Sequence, residues 1–195
     1  MKIGVLALQG DFIEHIVMLK RIGVDIVEVR LPEHLKNLNG LIIPGGESTT
    51  IGKLATQYDI LKPIIRFGKK HAIWGTCAGA ILLAKDIQQD QPLLKLMDIS
   101  IERNAFGRQV DSFESEISVP VLESPQRPFH AVFIRAPVIT RTGKSVDVLA
   151  CLPTNGQSPE IVVAAQQGRL LATSFHPELT KDDRFHRYFL SLAEG

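Results

Sequence analysis

The chain has 195 residues, of which 45% are hydrophobic and 22% are charged, as in an ordinary globular protein. This length suits one folding unit, so we predict a single domain over residues 1–195. Lys and Arg total 22 against 21 Asp and Glu, which leaves a net charge of +1. Binding to a phosphate backbone needs an excess of positive charge, so we expect no nucleic-acid partner.

Apolar runs and cysteine usage exclude further classes of protein. No apolar run approaches the roughly 20 residues that span a bilayer, and the first run ends in polar residues after Leu8. We therefore expect a cytoplasmic protein with no membrane partner. Cys77 and Cys151 form no C-x-x-C pair, and the six histidines follow no metal-ligand spacing. We expect no metal site and no cofactor.

Strand and helix patterns alternate along the first half of the chain. In order they predict a strand at 2–8, a helix at 12–23, strands at 24–29 and 40–43, a helix capped by Ser48 and Thr49, a strand at 72–74 and a helix at 78–85. This alternation is typical of a parallel sheet covered by helices on both faces.

The second half of the chain is richer in strand patterns. Short β-rich segments occur at 99–101, 116–119, 131–134, 146–149, 161–165 and 170–175, and a final helix is predicted over 181–192. Longer loops are expected at 123–130 and 151–159. We predict an α/β fold, a three-layer sandwich with a mostly parallel central sheet and added antiparallel strands.

A G-x-C-x-G sequence lies between a predicted strand and a predicted helix, at residues 75–79. Its small flanking residues permit the strained turn of a nucleophile elbow, which lifts the central side chain above the carboxyl end of a sheet. This pattern makes Cys77 a candidate nucleophile. The alternative is a buried structural cysteine beside a glycine-rich turn.

His176 and Glu178 flank a proline and supply the groups that a cysteine nucleophile needs. Proline biases the preceding residue toward extended backbone, in which residues two apart project to one side. Glu178 could then fix one ring nitrogen of His176 while the other faces Cys77, as in a Cys-His-acid triad. Cys151 is expected to be a small buried apolar residue. The remaining histidines are expected to pack in the interior or to lie at the surface; they are His15, His34, His71, His130 and His186.

These two motifs resemble the triad-type (class I) glutamine amidotransferases, whose fold includes the nucleophile elbow. Further segments resemble one subgroup, the glutaminase subunits of pyridoxal 5'-phosphate synthase. They are PGGEST at 44–49, GTCAG at 75–79, ERNAFGRQ at 102–109, FIRAP at 133–137 and SFHPEL at 174–179. The likeness runs from Lys2 to the C-terminal helix.

The resemblance implies a glutaminase that converts L-glutamine to L-glutamate and ammonia through a thioester on Cys77, with His176 and Glu178 completing the triad. It implies an oxyanion hole made by the backbone N–H groups of Gly46 and Ala78. Gln9-Gly10 ends the first strand at the edge where such sheets bind ligands, so this loop could lie near that hole. The implied glutamine contacts are Gly46, Glu47, Ser48, Arg103, Ile134 and Arg135. The implied partner is a barrel-fold synthase subunit, which uses the ammonia to build pyridoxal 5'-phosphate within a large hetero-oligomer.

Two other functions remain open at this point. An elbow cysteine on an α/β domain also suits a redox sensor or stress protein, although such a protein has no need for His176 and Glu178. A glutaminase could also feed a different acceptor, such as a partner in histidine or nucleotide synthesis. Only the resemblance at 45–49 and at Arg103-Asn104 favours vitamin B6 synthesis.

Overall fold

The computed structural model describes residues 1–103, 112–153 and 160–195. The strands are β1 (Lys2–Leu6), β2 (Asp25–Val29), β3 (Gly40–Ile43), β4 (Ala72–Thr76), β5 (Ala84–Asp86), β6 (Met97–Glu102), β7 (Ser112–Ile117), β8 (Phe129–Ile134), β9 (Val138–Thr142), β10 (Asp147–Leu152), β11 (Ile161–Gln167) and β12 (Leu170–Thr173). The α-helices are α1 (Phe12–Ile22), α2 (Ser48–Gln57), α3 (Leu61–Gly68), α4 (Ala78–Leu83) and α5 (Arg184–Glu194). Short 3-10 helices occupy Pro32–Leu35 and Pro177–Leu179.

Ten of the described strands form one sheet, ordered β2-β1-β3-β4-β12-β11-β9-β6-β5, with β10 paired to β11. The first five strands of this order are parallel to one another. Beyond β12 the pairing of β11, β10, β9 and β6 is antiparallel. The predicted sheet, mostly parallel with added antiparallel strands, is therefore confirmed, while β7 and β8 form a separate antiparallel pair.

Two apolar cores cover the two faces of the sheet, which gives the predicted three layers. One core contains Ile51 of α2 and Phe67 of α3 together with the apolar residues of α4. The other contains Leu19 of α1 and Phe189 of α5. Central strands such as β3 are buried throughout because helices cover both of their faces.

Several predicted boundaries were wrong. The helix after β4 ends at Leu83, and residues 84–86 join the sheet edge as β5. Glu47, rather than Ser48 or Thr49, caps α2, because its carboxylate accepts the backbone N–H groups of Thr49 and Thr50. Helix α3 and strand β9 were not predicted.

Two expectations about the second half of the chain also need correction. Residues 129–130, placed in a loop by the sequence, begin β8, and residues 151–152 end β10. Cys151 is partly exposed rather than buried. Residues 154–159 of the expected second loop lie outside the described residues. No helix in the described part of the chain is long and apolar enough to cross a membrane.

Candidate active site

Cys77 stands at the carboxyl end of β4, in the strained turn that the sequence predicts. Its backbone has φ 47° and ψ −104°, a conformation that residues other than glycine rarely adopt. The Cys77 N–H donates a hydrogen bond to the Thr173 carbonyl at 2.8 Å, which ties the turn to β12. A Cβ atom on Gly79 would lie 2.0 Å from the Ile43 carbonyl oxygen, so only glycine lets α4 pack this closely on β3.

His176 reaches the same edge of the sheet because β12 lies parallel to β4, with Thr173 opposite Thr76. Its Nδ1 atom lies 2.7 Å from Oε1 of Glu178. The extended geometry expected for this segment is wrong, since residues 177–179 form a 3-10 helix. Proline suits the first position of such a turn, and the tight turn brings Glu178 back onto the imidazole ring.

Both side chains of this pair are buried, with 3% of His176 and 5% of Glu178 exposed. Burial disfavours the imidazolium, but hydrogen bonds with Cys77 and Glu178 outweigh it and raise the pKa of His176 to about 10. Burial also raises the pKa of Glu178, and the hydrogen bond from His176 opposes that rise. His176 therefore holds a proton at neutral pH between a sulfur atom and a carboxylate.

A cavity of about 410 Å³ opens above Cys77. It brings together every site residue that the sequence predicted apart from Glu178, which lies beneath His176. The cavity lining is Gln9, Gly10, Asp11, Gly46, Glu47, Ser48, Cys77, Ala78, Ile81, Arg103, Ile134, Arg135 and His176. A pocket with a nucleophile, a base and charged groups at its rim suits a small polar substrate.

Glu47 and Arg103 form an ion pair at the rim of the cavity, with 3.2 Å between Oε1 of Glu47 and a guanidinium nitrogen. Hydrogen bonds from Thr50 and Thr49 outweigh partial burial and lower the pKa of Glu47 to about 2. Glu47 is thus ionised at any physiological pH. The same guanidinium contacts Oε1 of Gln91 at 3.4 Å, and Ser48 donates to that oxygen at 3.2 Å.

Ile134 and Arg135, at the end of β8, also border the nucleophile. The Cys77 Sγ atom lies 3.9 Å from the Ile134 carbonyl oxygen. Arg135 has φ 44°, an unusual value for a residue with a side chain, and it also lines the cavity. Strand β8 thus ends at Ile134, and the next residue has a left-handed backbone and lines the cavity.

The loop after β1 contributes residues that the sequence reasoning treated only in part. Oε1 of Gln9 accepts the Glu47 N–H at 2.8 Å, which places Gln9 beside the loop that contains Gly46. Asp11 was missed, although it directly follows that pair, and its Oδ2 atom lies 3.5 Å from Nδ1 of His176. A Cβ atom on Gly45 would lie 2.4 Å from Cε1 of His176, so glycine gives the imidazole its room.

Among the described residues, Asp11, His176 and Glu178 form the one group of three or more acidic, histidine or cysteine side chains whose donor atoms all lie within 4.8 Å of one another. The Nδ1 atom of His176 is already hydrogen bonded to Glu178, which makes the group a carboxylate–imidazole pair with a second carboxylate nearby. Of the segment at 102–109, Glu102 and Arg103 are described, while 104–109 lie outside the described residues.

Two buried histidines lie behind Glu178. His15 of α1 and His186 of α5 are both fully buried, with 3.0 Å between Nδ1 of His15 and Nε2 of His186. Burial lowers the pKa of His186 to about 3, and burial together with the neighbouring His186 and His176 lowers the pKa of His15 well below its ordinary value. Both rings are therefore neutral at pH 7.

Comparisons of the sequence and of the structure with known proteins find relatives of one kind, the glutamine amidotransferases. The sequence pattern of the SNO glutamine amidotransferase family matches residues 5–194. "Pyridoxal 5'-phosphate synthase subunit PdxT" of Herpetosiphon aurantiacus is 59% identical, covering 98% of this chain and 100% of the relative. The protein of the same name from Chloroflexus aurantiacus is 55% identical, with 98% and 100% covered. A solved structure described as a glutamine amidotransferase superposes with a TM-score of 0.90 at 53% identity, covering 99% of both chains.

The buried histidines predict a loss of stability in mild acid. The pKa of His186 is lowered from 6.5 to about 3, so between these values the unfolded chain binds a proton that the folded chain does not. The free energy of unfolding should fall as the pH drops below 6.5, by about 1.4 kcal/mol per pH unit for each such histidine.

Urea unfolding at pH values between 7 and 5 measures this slope while most carboxylates stay ionised. The His186→Gln variant should show a slope reduced by the contribution of one proton. An unchanged slope in that variant would mean that His186 is not buried in its neutral form.

Proposed function

Because the chain belongs to the SNO glutamine amidotransferase family, we propose that it hydrolyses L-glutamine to L-glutamate and ammonia through Cys77, His176 and Glu178. The observation that carries this proposal is the contact of 2.7 Å between His176 and the buried Glu178 carboxylate, with His176 lining the same cavity as the elbow cysteine. A redox sensor has no use for this arrangement, which favours an enzyme over the non-enzymatic alternative.

The reaction follows from the raised pKa of His176, which keeps the ring protonated beside Cys77 at neutral pH. The thiolate of Cys77 attacks the side-chain amide carbon of glutamine, and His176 gives its proton to the nitrogen as the C–N bond breaks and ammonia leaves. A glutamyl thioester remains on the sulfur. Water then loses a proton to His176 and attacks the thioester, the C–S bond breaks, and glutamate leaves with the thiolate and imidazolium restored.

The negative oxygen formed in each attack needs hydrogen-bond donors fixed in advance. We assign this role to the backbone N–H groups of Ala78, which directly follows the nucleophile, and of Gly46. Both residues line the cavity that contains Cys77. Gly46 lies in a loop held by two contacts to the loop after β1, from the Gly45 carbonyl to the Asp11 N–H at 3.1 Å and from the Glu47 N–H to Gln9.

The ion pair at the cavity rim matches the charges of the amino-acid end of glutamine. Glu47 is ionised and half-exposed, so its carboxylate can accept the α-ammonium group. Arg103 or Arg135 can bind the α-carboxylate through a fork of N–H donors. Gly46, Ser48 and Ile134 complete the proposed contacts. If Arg103 binds the α-carboxylate, bound glutamine separates the ion pair: its α-ammonium group contacts Glu47 and its α-carboxylate contacts Arg103.

The ammonia supplies pyridoxal 5'-phosphate synthesis, as the names of the relatives above indicate. Free ammonia becomes protonated in neutral water and loses its nucleophilicity, so we infer a docked synthase subunit with a sheltered path. We propose that this partner is a barrel-fold chain in a large hetero-oligomer in the cytoplasm. At 55% to 59% identity these relatives favour this acceptor over one in histidine or nucleotide synthesis.

Cys77→Ala is the direct test of the nucleophile. Release of glutamate should fall below roughly one-thousandth of the wild-type rate, because no other group in the cavity can form the thioester. Cys151→Ala is the matched control and should retain wild-type turnover, since its thiol lies outside the cavity. A chloroketone analogue of glutamine should label the peptide that contains Cys77, and labelling of Cys151 instead would refute the assignment.

The synthase subunit should stimulate glutamine hydrolysis. If docking near Gln9-Gly10 moves the Gly45-Gly46 loop and completes the oxyanion hole, kcat should rise roughly 100-fold, as expected for gaining one such donor. The control is the Cys77→Ala complex, which should make product only from added ammonium salt. Equal turnover with and without the synthase would contradict the proposed coupling.

A further inference from the structure

Beneath the proposed triad lies a chain of buried polar groups that the mechanism does not yet use. Nε2 of His15 is 3.4 Å from Oε2 of Glu178 and 3.2 Å from Oγ1 of Thr76. Nδ1 of the same ring contacts His186 on α5. The side chains of His15 and Glu178 are both fully buried. Oε2 of Glu178, the carboxylate oxygen that does not contact His176, therefore faces an imidazole nitrogen rather than water.

Oε2 of Glu178 needs a donor. It is one of four buried side-chain atoms of the described residues that have no hydrogen-bond partner, with Nδ1 of His186, Nε2 of Gln91 and Oγ of Ser174. An ionised carboxylate is costly to bury unless both oxygens are compensated. His176 compensates only Oε1. A contact of 3.4 Å is long for a hydrogen bond, as contacts of catalytic groups often are before substrate binds.

Proton placement on the two neutral rings decides whether His15 can act as that donor. If His186 carries its proton on Nε2, it donates to Nδ1 of His15, and His15 then carries its own proton on Nε2, toward Glu178 and Thr76. The opposite arrangement gives His186 a buried N–H without an acceptor, and buried donors without partners are rarer than buried acceptors without donors. The first arrangement leaves only a lone pair on His186 Nδ1 without a partner, so it is favoured.

We propose that His15 is a positioning residue for the glutaminase reaction, whose Nε2–H group donates to Oε2 of Glu178 and fixes the carboxylate plane toward His176. This inference rests on the proposed function. His186 sets the tautomer of His15, and Thr76 shares the same N–H group. Helices α1 and α5 thus act on the nucleophile through a continuous series of contacts, from His186 to His15, Glu178, His176 and Cys77.

The tautomer of His15 can be measured without any assay of glutamine. The full-length chain labelled with ¹⁵N-histidine gives long-range proton–nitrogen correlations that separate the two neutral tautomers, and the signals missing in His15→Gln identify the residue. The expected result is a neutral ring with its proton on Nε2. A proton on Nδ1, or a charged ring at pH 7, would overturn the proposal whether or not the chain hydrolyses glutamine.

Two amide variants test the consequence for catalysis. The amide nitrogen of His15→Gln can replace Nε2 and keep a donor to Glu178, whereas the shorter His15→Asn places its amide near Nδ1 and leaves Oε2 without one. His15→Asn should lower kcat roughly 10- to 100-fold with KM for glutamine within about twofold of wild type, the effect of losing a hydrogen bond to a charged group. His15→Gln should retain most of the wild-type kcat.

Equal losses of kcat in the two variants, or a loss expressed in KM, would show a role in packing alone and overturn the proposal. The wild-type rate of glutamate release, measured with the Cys77→Ala variant as the background control, separates a packing role of His15 from a failure of the proposed function. If the wild-type chain releases no glutamate, the proposed function fails, and the tautomer measurement still decides the contact between His15 and Glu178.

Discussion

The parallel pairing of β4 with β12 is the constraint on which the rest of the site depends. These strands are far apart in sequence, yet their last residues, Thr76 and Thr173, lie opposite each other. The chain leaves both strands at the same edge of the sheet, so the turn at Cys77 and the segment of His176 meet there. The hydrogen bond from the Cys77 N–H to Thr173 fixes the strained turn directly to the neighbouring strand.

The raised pKa of His176 is the electrostatic consequence of this pairing. Burial by itself would lower the pKa of His176, but contacts on both sides of the ring reverse the direction and raise it to about 10. Glu178, which forms one of these contacts, is itself buried away from water, and burial raises the pKa of its carboxyl group. His15 and His186 behind it are both uncharged, so they can donate or accept hydrogen bonds without adding a competing positive charge. Through the contact proposed between His15 and Glu178, helices α1 and α5 support the candidate triad as well as covering the sheet.

Local patterns made much of this site predictable from the sequence. The glycines around Cys77 require a tight turn between strand and helix, and that turn was predicted correctly. The proline after His176 correctly indicated that Glu178 lies beside the ring, but through a 3-10 turn rather than the extended backbone that was expected. The order of the strands was not predictable, because it depends on contacts between distant segments. The cap by Glu47 was missed because Ser and Thr are preferred N-caps by residue type and Glu is not, and only the backbone geometry shows that the Glu47 side chain reaches the first turn. Asp11 and the buried pair of His15 and His186 carry no local signal, since a lone acidic or histidine side chain has a function only through partners elsewhere in the chain.

Trapping the covalent intermediate tests the central claim, that Cys77 is activated by His176 to attack glutamine. The chain turning over saturating glutamine is quenched in acid, which preserves a thioester, and its peptides are mapped by mass spectrometry. The account predicts a glutamyl group on the peptide that contains Cys77, sensitive to neutral hydroxylamine and absent from the His176→Asn variant. Steady release of glutamate with no adduct on that peptide, or with the adduct on Cys151, would contradict it.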